Sequence, residues 1–279
     1  MEKFSSIQLE LTRQIAAFFG TLPQVEAVAV AGSRGRGGGA VDGASDIDLY
    51  VYTRAEIPLA ARRALVEQVG GASEANLGLN YWGPGDLWVH APTGIDLDIN
   101  YFDAAWMEEQ IARVMTQHQP AMGYTTCFCC TVRQSILFHD PHGWFAALQR
   151  QCDQNYPEAL RQNIIRYNHP VLRGILTSYA AQIEKAVKRR DLVSVNHRVA
   201  ALLASYFDIL FAANRLLHPG EKRQVEFALK HCQMLPAAME ADLQAILTVP
   251  MAELAEIPER ISRLLDRLDA MLAQEGIAC

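Results

Sequence analysis

The sequence lacks a run of about 18 uncharged apolar residues, the length that a membrane-spanning helix needs. It also lacks, after Met1, the basic segment followed by an apolar segment that marks a secretory signal peptide. From these two absences we expect a cytoplasmic protein that does not act at a membrane.

An excess of positive charge is absent as well. The 279 residues contain 25 Lys and Arg against 31 Asp and Glu, which gives a formal net charge of −6 at pH 7. Proteins that hold long nucleic acids by their phosphates present a basic surface. We therefore expect no extended nucleic-acid surface, and a small molecule or a protein fits the charge better as a partner.

The six cysteines show none of the paired spacings that hold structural zinc. Cys127, Cys129 and Cys130 fall in one short apolar run that is typical of a strand, and the other three are scattered. We interpret all six as reduced thiols in an intracellular protein.

Helical and strand-like segments alternate only in the first half of the chain. The apolar pattern predicts helices at 6–19, 56–70 and 104–118, and strands at 25–31, 46–52, 87–90, 95–102 and 134–138. The strands at 87–90 and 95–102 are predicted to form a hairpin. From Pro157 onwards helix formers dominate, and the breaks between them divide the segment into five or six helices of a bundle. The prediction is an α+β fold with two domains, residues 1–150 and 151–279.

A glycine-rich turn follows the first predicted strand. Gly32 and Ser33 end the apolar run, and glycines recur as far as Gly43. Glycine permits positive φ and close backbone approach, and Ser33 offers a hydroxyl and an amide to a phosphate oxygen. We interpret the turn as a phosphate site. Arg34 lies inside it, where this side chain either contacts the phosphate or is solvated.

Two predicted strands carry aspartates at alternate positions, Asp46 and Asp48 in one and Asp96 and Asp98 in the other. Side chains alternate between the faces of a strand, so each pair shares a face, with its Cα atoms about 7 Å apart. Acids are depleted in strands, so four of them in this arrangement indicate a function. Carboxylates on adjacent strands suit Mg²⁺, and three can hold two ions about 3.5–4 Å apart for in-line displacement at phosphorus.

Taken together, Gly32-Ser33, Asp46-x-Asp48 and a later aspartate resemble the signature of the DNA polymerase beta-like nucleotidyltransferases. The resemblance implies a nucleotidyltransferase domain built on a mixed sheet flanked by helices. The helical second half is similar to that of the aminoglycoside and lincosamide nucleotidyltransferases, and to that of an uncharacterised bacterial group with a helical C-terminal domain.

The resemblance also implies roles for individual acids. Asp46, Asp48 and Asp96 are implied as the catalytic residues and as the ligands of two Mg²⁺ ions. In the family an apolar residue precedes the third aspartate, as Ile95 precedes Asp96 here, and this favours Asp96. Asp98 has the same facing and stays the alternative.

Nucleotide-binding residues are implied in two places. Gly32, Ser33 and Arg34 are expected to contact the phosphates of ATP or another NTP. Lys222 lies in a basic turn that follows a predicted helix, where it either neutralises the triphosphate or is an ordinary solvated residue at a helix end.

The implied activity is the transfer of an NMP, AMP above all, from an NTP to a hydroxyl of a small molecule, with release of pyrophosphate. An aminoglycoside- or lincosamide-like antibiotic is one candidate acceptor, and a protein or an RNA end is another. The alternative from a different class is a nucleotide-sensing or antitoxin-like module that binds the nucleotide without turnover.

Overall fold

The structure is a computed structural model that describes residues 4–32 and 46–277. The chain forms two compact units. The first contains the described residues up to Ala112 together with Phe128–Gln154, and the second contains Arg113–Cys127 and the residues from Asn155 onwards. In the described residues, the first unit combines a β-sheet with helices, and the second is helical. The α+β fold class predicted from the sequence is confirmed.

The first unit is built on a mixed sheet. Its strands in the described residues are β1 (Val25–Val30), β2 (Ile47–Thr53), β3 (Ala72–Leu79), β4 (Gly85–His90), β5 (Asp96–Asp103) and β6 (Ile136–His139). Their order across the sheet is β3-β4-β5-β2-β1-β6. β2 and β5 run parallel and the other neighbours antiparallel, so that β4 and β5 form the predicted hairpin.

Helices cover parts of both faces of this sheet. They are α1 (Ser6–Gly20), α2 (Leu59–Gln68), α3 (Ala104–Met115), α4 (Cys127–Gln134) and α5 (Trp144–Cys152). Helix α1 begins with a capping box, in which the Gln8 amide donates to Ser5 Oγ and the Ser5 amide donates to Gln8 Oε1. This arrangement satisfies amides that the first helical turn otherwise leaves without partners.

The two faces of β2 have different surroundings. Ile47, Leu49 and Val51 are fully buried in a core that also contains apolar residues of α1 and α2. On the other face the Tyr52 ring packs against Trp144 and Phe145 of α5, with ring centroids 5.5 and 4.9 Å apart. On this second face Asp48 is half-buried, and Asp46, the residue before β2, is exposed.

The Asp86 carboxylate fixes the β3–β4 hairpin from the core side. It accepts hydrogen bonds from Arg62 Nη1 at 3.1 Å, from the Gly78 amide at 2.7 Å and from the Tyr101 hydroxyl at 2.6 Å. Asp86 is 2% exposed, and burial of a polar group is costly unless hydrogen bonds such as these replace its contacts with water. The contacts join α2, β3, β4 and β5, and hold β3 at the edge of the sheet.

Two local predictions differ from the structure. The run with Cys127, Cys129 and Cys130 forms helix α4 and not a strand. A short apolar run does not distinguish a buried helix from a strand. Here the run forms a helix that buries Cys129, Cys130 and Val132, and this tertiary packing outweighs local preference. The five described cysteines form no disulfide with one another. Strand β3 was not predicted at all.

The second unit confirms the predicted bundle of five or six helices. Its α-helices, in the described residues, are α6 (Glu158–His169), α7 (Tyr179–Lys188), α8 (Leu192–Ala213), α9 (Gln224–His231), α10 (Met239–Leu247) and α11 (Ile257–Gln274). A π-helical segment (Pro170–Gly174) and a 3₁₀ segment (Met251–Glu256) connect some of them. No helix in the described ranges is long and apolar enough to cross a membrane.

A buried carboxylate lies in the middle of this unit. Asp208 of α8 accepts hydrogen bonds from the Thr125 amide at 3.0 Å, from Thr125 Oγ1 at 2.6 Å and from Asn168 Nδ2 at 3.3 Å. Burial raises the pKa of Asp208 to about 7, although the hydrogen bonds from Thr125 act in the opposite direction. The folded protein therefore holds a proton here at pH values where the unfolded chain has lost it.

This raised pKa predicts a pH-dependent contribution to stability. The contribution to the free energy of unfolding is complete below the unfolded pKa near 4. It is lost as the pH rises toward 7, and over this range the free energy of unfolding falls by up to about 1.4 kcal/mol per pH unit. Asp208→Asn mimics the protonated carboxyl and should remove that slope in denaturant unfolding measured from pH 4 to pH 8. The exposed Glu240→Gln on α10 is the matched control and should keep the wild-type slope. Identical pH profiles for Asp208→Asn and wild type would contradict the assignment.

Candidate active site

The four aspartates of the two Asp-x-Asp pairs lie on one face of the sheet. β2 and β5 pair in parallel with Asp48 directly opposite Asp98, and Ile47 opposite Leu97. Ile47 and Leu97 are fully buried on the core side, so alternation turns all four aspartates to the other face. The sequence thus supplies the alternation, and the parallel pairing brings the two pairs side by side.

Asp96 and Asp98 differ in their surroundings. Asp98 is half-buried, lies opposite Asp48 and accepts a hydrogen bond from Asn100 Nδ2 at 3.0 Å. Asp96 is exposed at the beginning of β5, one residue before the first pair of the β2–β5 register, Ile47 and Leu97. Asp46 and Asp96 line the same cavity. Asp98 therefore has Asp48 of β2 as its neighbour, and Asp96 shares the cavity with Asp46, the residue that precedes β2.

Gly32 lies in contact with one of these acids. Its φ is +59°, in the left-handed region, as the glycine-rich turn predicted. A Cβ atom built on Gly32 would lie 1.9 Å from Asp48 Oδ2 and 2.7 Å from Asp48 Cγ. The preceding Ala31 amide donates to the Asp48 carbonyl oxygen at 3.1 Å. Only glycine fits at this position while the Asp48 carboxylate keeps its place.

The other predicted nucleotide-binding residues are Ser33, Arg34 and Lys222. Ser33 and Arg34 lie outside the described residues. Lys222 belongs to the second unit, where it is exposed in the turn before α9. His218, which precedes that turn, is fully buried, and burial lowers its pKa to about 3. The His218 imidazole is therefore neutral at physiological pH and does not add to the positive charge of the turn.

The donor set suits a hard divalent cation. Carboxylate oxygens are the ligands that Mg²⁺ takes in proteins, with water and substrate phosphates in its remaining positions. The absence of a side chain at Gly32 lets its backbone lie directly against the Asp48 carboxylate. Among the described side chains, no group of three or more His, Cys, Asp or Glu is already arranged around a common metal position. The chemistry of the donors therefore fits Mg²⁺.

A cavity of about 530 Å³ opens on the same face. Its lining residues are Asp46, Glu74, Asn76, Leu87, Trp88, Val89 and Asp96. This described lining contains three carboxylates and no Lys or Arg. Sequence reasoning missed Glu74 and Asn76 because it missed β3. Their two-residue spacing, the same as in the Asp-x-Asp pairs, was the available signal.

Comparisons with known proteins found a family model and a similar solved structure. A family model described as a domain of unknown function, DUF4037, matches residues 125–223. That segment includes Lys222 and none of the four aspartates. No curated protein matches the chain. Among solved structures, the chain is similar to a nucleotidyltransferase-like protein from Exiguobacterium sibiricum 255-15, with 14% identity and a TM-score of 0.45. The match covers 95% of this chain and 74% of the other, and similarity at this level does not assign a function.

Proposed function

We propose that the protein is a metal-dependent nucleotidyltransferase that moves an NMP, with AMP as first choice, from an NTP to a hydroxyl group and releases pyrophosphate. The observation that carries the proposal is the parallel pairing of β2 and β5, with Asp48 opposite Asp98. It joins two Asp-x-Asp pairs on one accessible sheet face, next to a glycine that has no room for a side chain. A purely structural role gives no reason for this concentration of acids.

In this proposal Asp46, Asp48 and Asp96 hold Mg²⁺ ions. When bound, the metal neutralises phosphate charge and lowers the pKa of a coordinated hydroxyl. The acceptor oxygen attacks the α-phosphorus, the bond from that phosphorus to the bridging oxygen breaks, and pyrophosphate leaves. Asp96, which is exposed at the beginning of β5, takes the proton of the acceptor hydroxyl in this proposal or passes it to water.

The phosphates are assigned to the glycine turn. Gly32 leaves room for close backbone approach, and Ser33 and Arg34 supply donors to the outer phosphates. Lys222 is the proposed additional cation for the triphosphate. Phosphoryl-type transfer depends on positioning and charge stabilisation rather than on covalent chemistry by the protein, and these residue types supply both.

The acceptor in this proposal is a small molecule that carries a hydroxyl, inside the cytoplasm. Glu74, the carboxylate of the described lining that holds no metal in this proposal, favours a neutral or cationic compound over an anionic one. An aminoglycoside-like compound meets this description, and a lincosamide-like one does too. Adenylylation of such an antibiotic is therefore the first acceptor class to screen.

Calorimetric titration with the four common NTPs, each with and without Mg²⁺, tests the proposal. We expect binding of at least one NTP that requires Mg²⁺. Asp96→Asn and Asp98→Asn, measured in parallel, identify the third ligand, because its loss should weaken binding by at least about a hundredfold, more than the loss of an outer partner. The absence of Mg²⁺-dependent binding of every NTP to the wild type would overturn the proposal. Binding without transfer to any acceptor would favour the nucleotide-sensing alternative.

A further inference from the structure

The acidic face continues across the β3–β4 hairpin as two rows of side chains. One row runs from Asp96 to Val89 and Glu74, which are successive partners in the register of β5, β4 and β3. The second row runs from Asp98 to Leu87 and Asn76 in the same way. The core residue Trp88 lies between Leu87 and Val89 and is only 2% exposed, so the two rows occupy the side away from the core.

The hairpin adds a surface of a different character. Leu87 is 46% exposed and Val89 is half-buried, and together they form an apolar floor. Beyond that floor, on the edge strand, lie the exposed Glu74 and Asn76. Adjacent strands are spaced by about 4.8 Å, so the Glu74 backbone lies about 10 Å from that of Asp96. All these residues line the cavity described above except Asp98.

Gly32 and the β3–β4 hairpin lie on opposite sides of the strands that carry the four aspartates. Gly32 follows β1, which lies on one side of β2 in the sheet, whereas β4 and β3 lie beyond β5 on the other side. If the phosphates occupy the glycine side, the hairpin side is left for the second substrate.

We propose that this hairpin strip, made of Glu74, Asn76, Leu87 and Val89, is the binding site for the acceptor. The inference rests on the proposed function. The acceptor places its hydroxyl at Asp96, its carbon skeleton over Leu87 and Val89, and a protonated amine at the Glu74 carboxylate. Asn76 supplies a donor and an acceptor for a further polar group. The chemical class is an alcohol with an amine about 10 Å from the reacting oxygen.

An exposed glutamate on an edge strand also has a purely structural explanation, because charges there prevent edge-to-edge aggregation. The two explanations make different predictions. An anti-aggregation charge has no preference among ligands, whereas an acceptor site prefers a cation at a defined distance from a hydroxyl.

Three amphiphilic probes test that preference in the complete chain. They are 6-aminohexan-1-ol, hexane-1,6-diol, which lacks the amine, and 3-aminopropan-1-ol, which is too short to span the strip. Binding is followed by NMR of the Leu87 and Val89 methyl groups, first without nucleotide and then with Mg²⁺ and ATP. The variants are Glu74→Gln and, as matched control, Glu67→Gln, an exposed glutamate of α2.

We expect 6-aminohexan-1-ol to shift the Leu87 and Val89 signals at lower concentration than the diol or the short amino alcohol. Glu74→Gln should weaken its binding by about tenfold, because a charge-assisted contact is lost, and Glu67→Gln should leave it at the wild-type value. Equal binding of all three probes, unchanged binding in Glu74→Gln, or no shift at either methyl group would overturn the inference. If ATP binds with Mg²⁺ but the probes fail, the acceptor site alone is wrong. If the amino alcohol binds at Glu74 but no NTP binds, the proposed function and the acceptor role both fail.

Discussion

Asp48→Asn is expected to weaken Mg²⁺-dependent nucleotide binding by at least about a hundredfold, because loss of even an outer partner of a metal ligand costs 10- to 100-fold. Asp48 lies opposite Asp98 and against Gly32, at the centre of the acidic face. The amide keeps the size of the side chain but removes the charge that a hard cation requires. Calorimetry with Mg²⁺ and the NTP that the wild type binds measures the loss, and circular dichroism checks the fold.

Asp103→Asn is the matched control for this substitution. Asp103 lies at the end of β5, on the opposite face from Asp98, and its Oδ1 accepts a hydrogen bond from the Trp106 amide at 2.7 Å. The carbonyl oxygen of asparagine can keep that contact, so nucleotide binding should equal that of the wild type. Wild-type binding by Asp48→Asn as well would remove Asp48 from the metal site.

The second large effect is expected from Gly32→Ala. A methyl group at this position would lie 1.9 Å from Asp48 Oδ2, so the carboxylate or the backbone must move. A misplacement of about 1 Å at a reacting centre costs about a hundredfold in activity, and we expect a loss of this size in nucleotidyl transfer. The positive φ adds a cost of about 1–2 kcal/mol to the free energy of folding.

Gly143→Ala separates these two effects. Gly143 also has a positive φ, +70°, but nothing lies within 4 Å of the position that its Cβ would take. This control should lose similar stability and keep its nucleotide affinity and transfer rate. If Gly32→Ala loses only as much function as Gly143→Ala, then contact with Asp48 has no part in the reaction. Denaturant unfolding and the transfer rate of each variant give the comparison.

The strands that carry the aspartates could be predicted because their pattern is strong. Alternation of apolar and acidic residues around Asp48 and Asp98 defines a strand and its two faces from local sequence alone. The β4–β5 hairpin was predictable for a similar reason, since turn residues separate two short apolar runs. The parallel direction of β2 and β5 depends on contacts distant in sequence, and the sequence predicted only that the two strands lie side by side.

Strand β3 shows where local sequence fails. Its residues Ala-Ser-Glu-Ala-Asn-Leu-Gly-Leu include several types that are depleted in strands. The strand forms through its pairing with β4 and through the hydrogen bond from the Gly78 amide to Asp86. Since Glu74 and Asn76 lie on β3, the same failure hid them from the candidate site.

The choice between Asp96 and Asp98 could not follow from alternation either. Residues two apart in a strand share a face, so alternation does not distinguish Asp96 from Asp98. In the register of the two strands, Asp98 is the direct partner of Asp48. Asp96 lines the cavity together with Asp46. The sequence motif therefore favours Asp96 as the third ligand, whereas the register favours Asp98.

The central claim is that the acids on β2 and β5 bind a divalent metal together with a nucleotide. Water-proton relaxation with Mn²⁺ and ATP tests it most directly, because a slowly tumbling complex of protein, Mn²⁺ and ATP enhances relaxation beyond that of Mn²⁺ and ATP alone. Mn²⁺ suits the same oxygen ligands as Mg²⁺. The account predicts a saturable enhancement with the wild type that Asp48→Asn abolishes and Asp103→Asn keeps. Equal enhancement by wild type and Asp48→Asn, or none by the wild type, would contradict it.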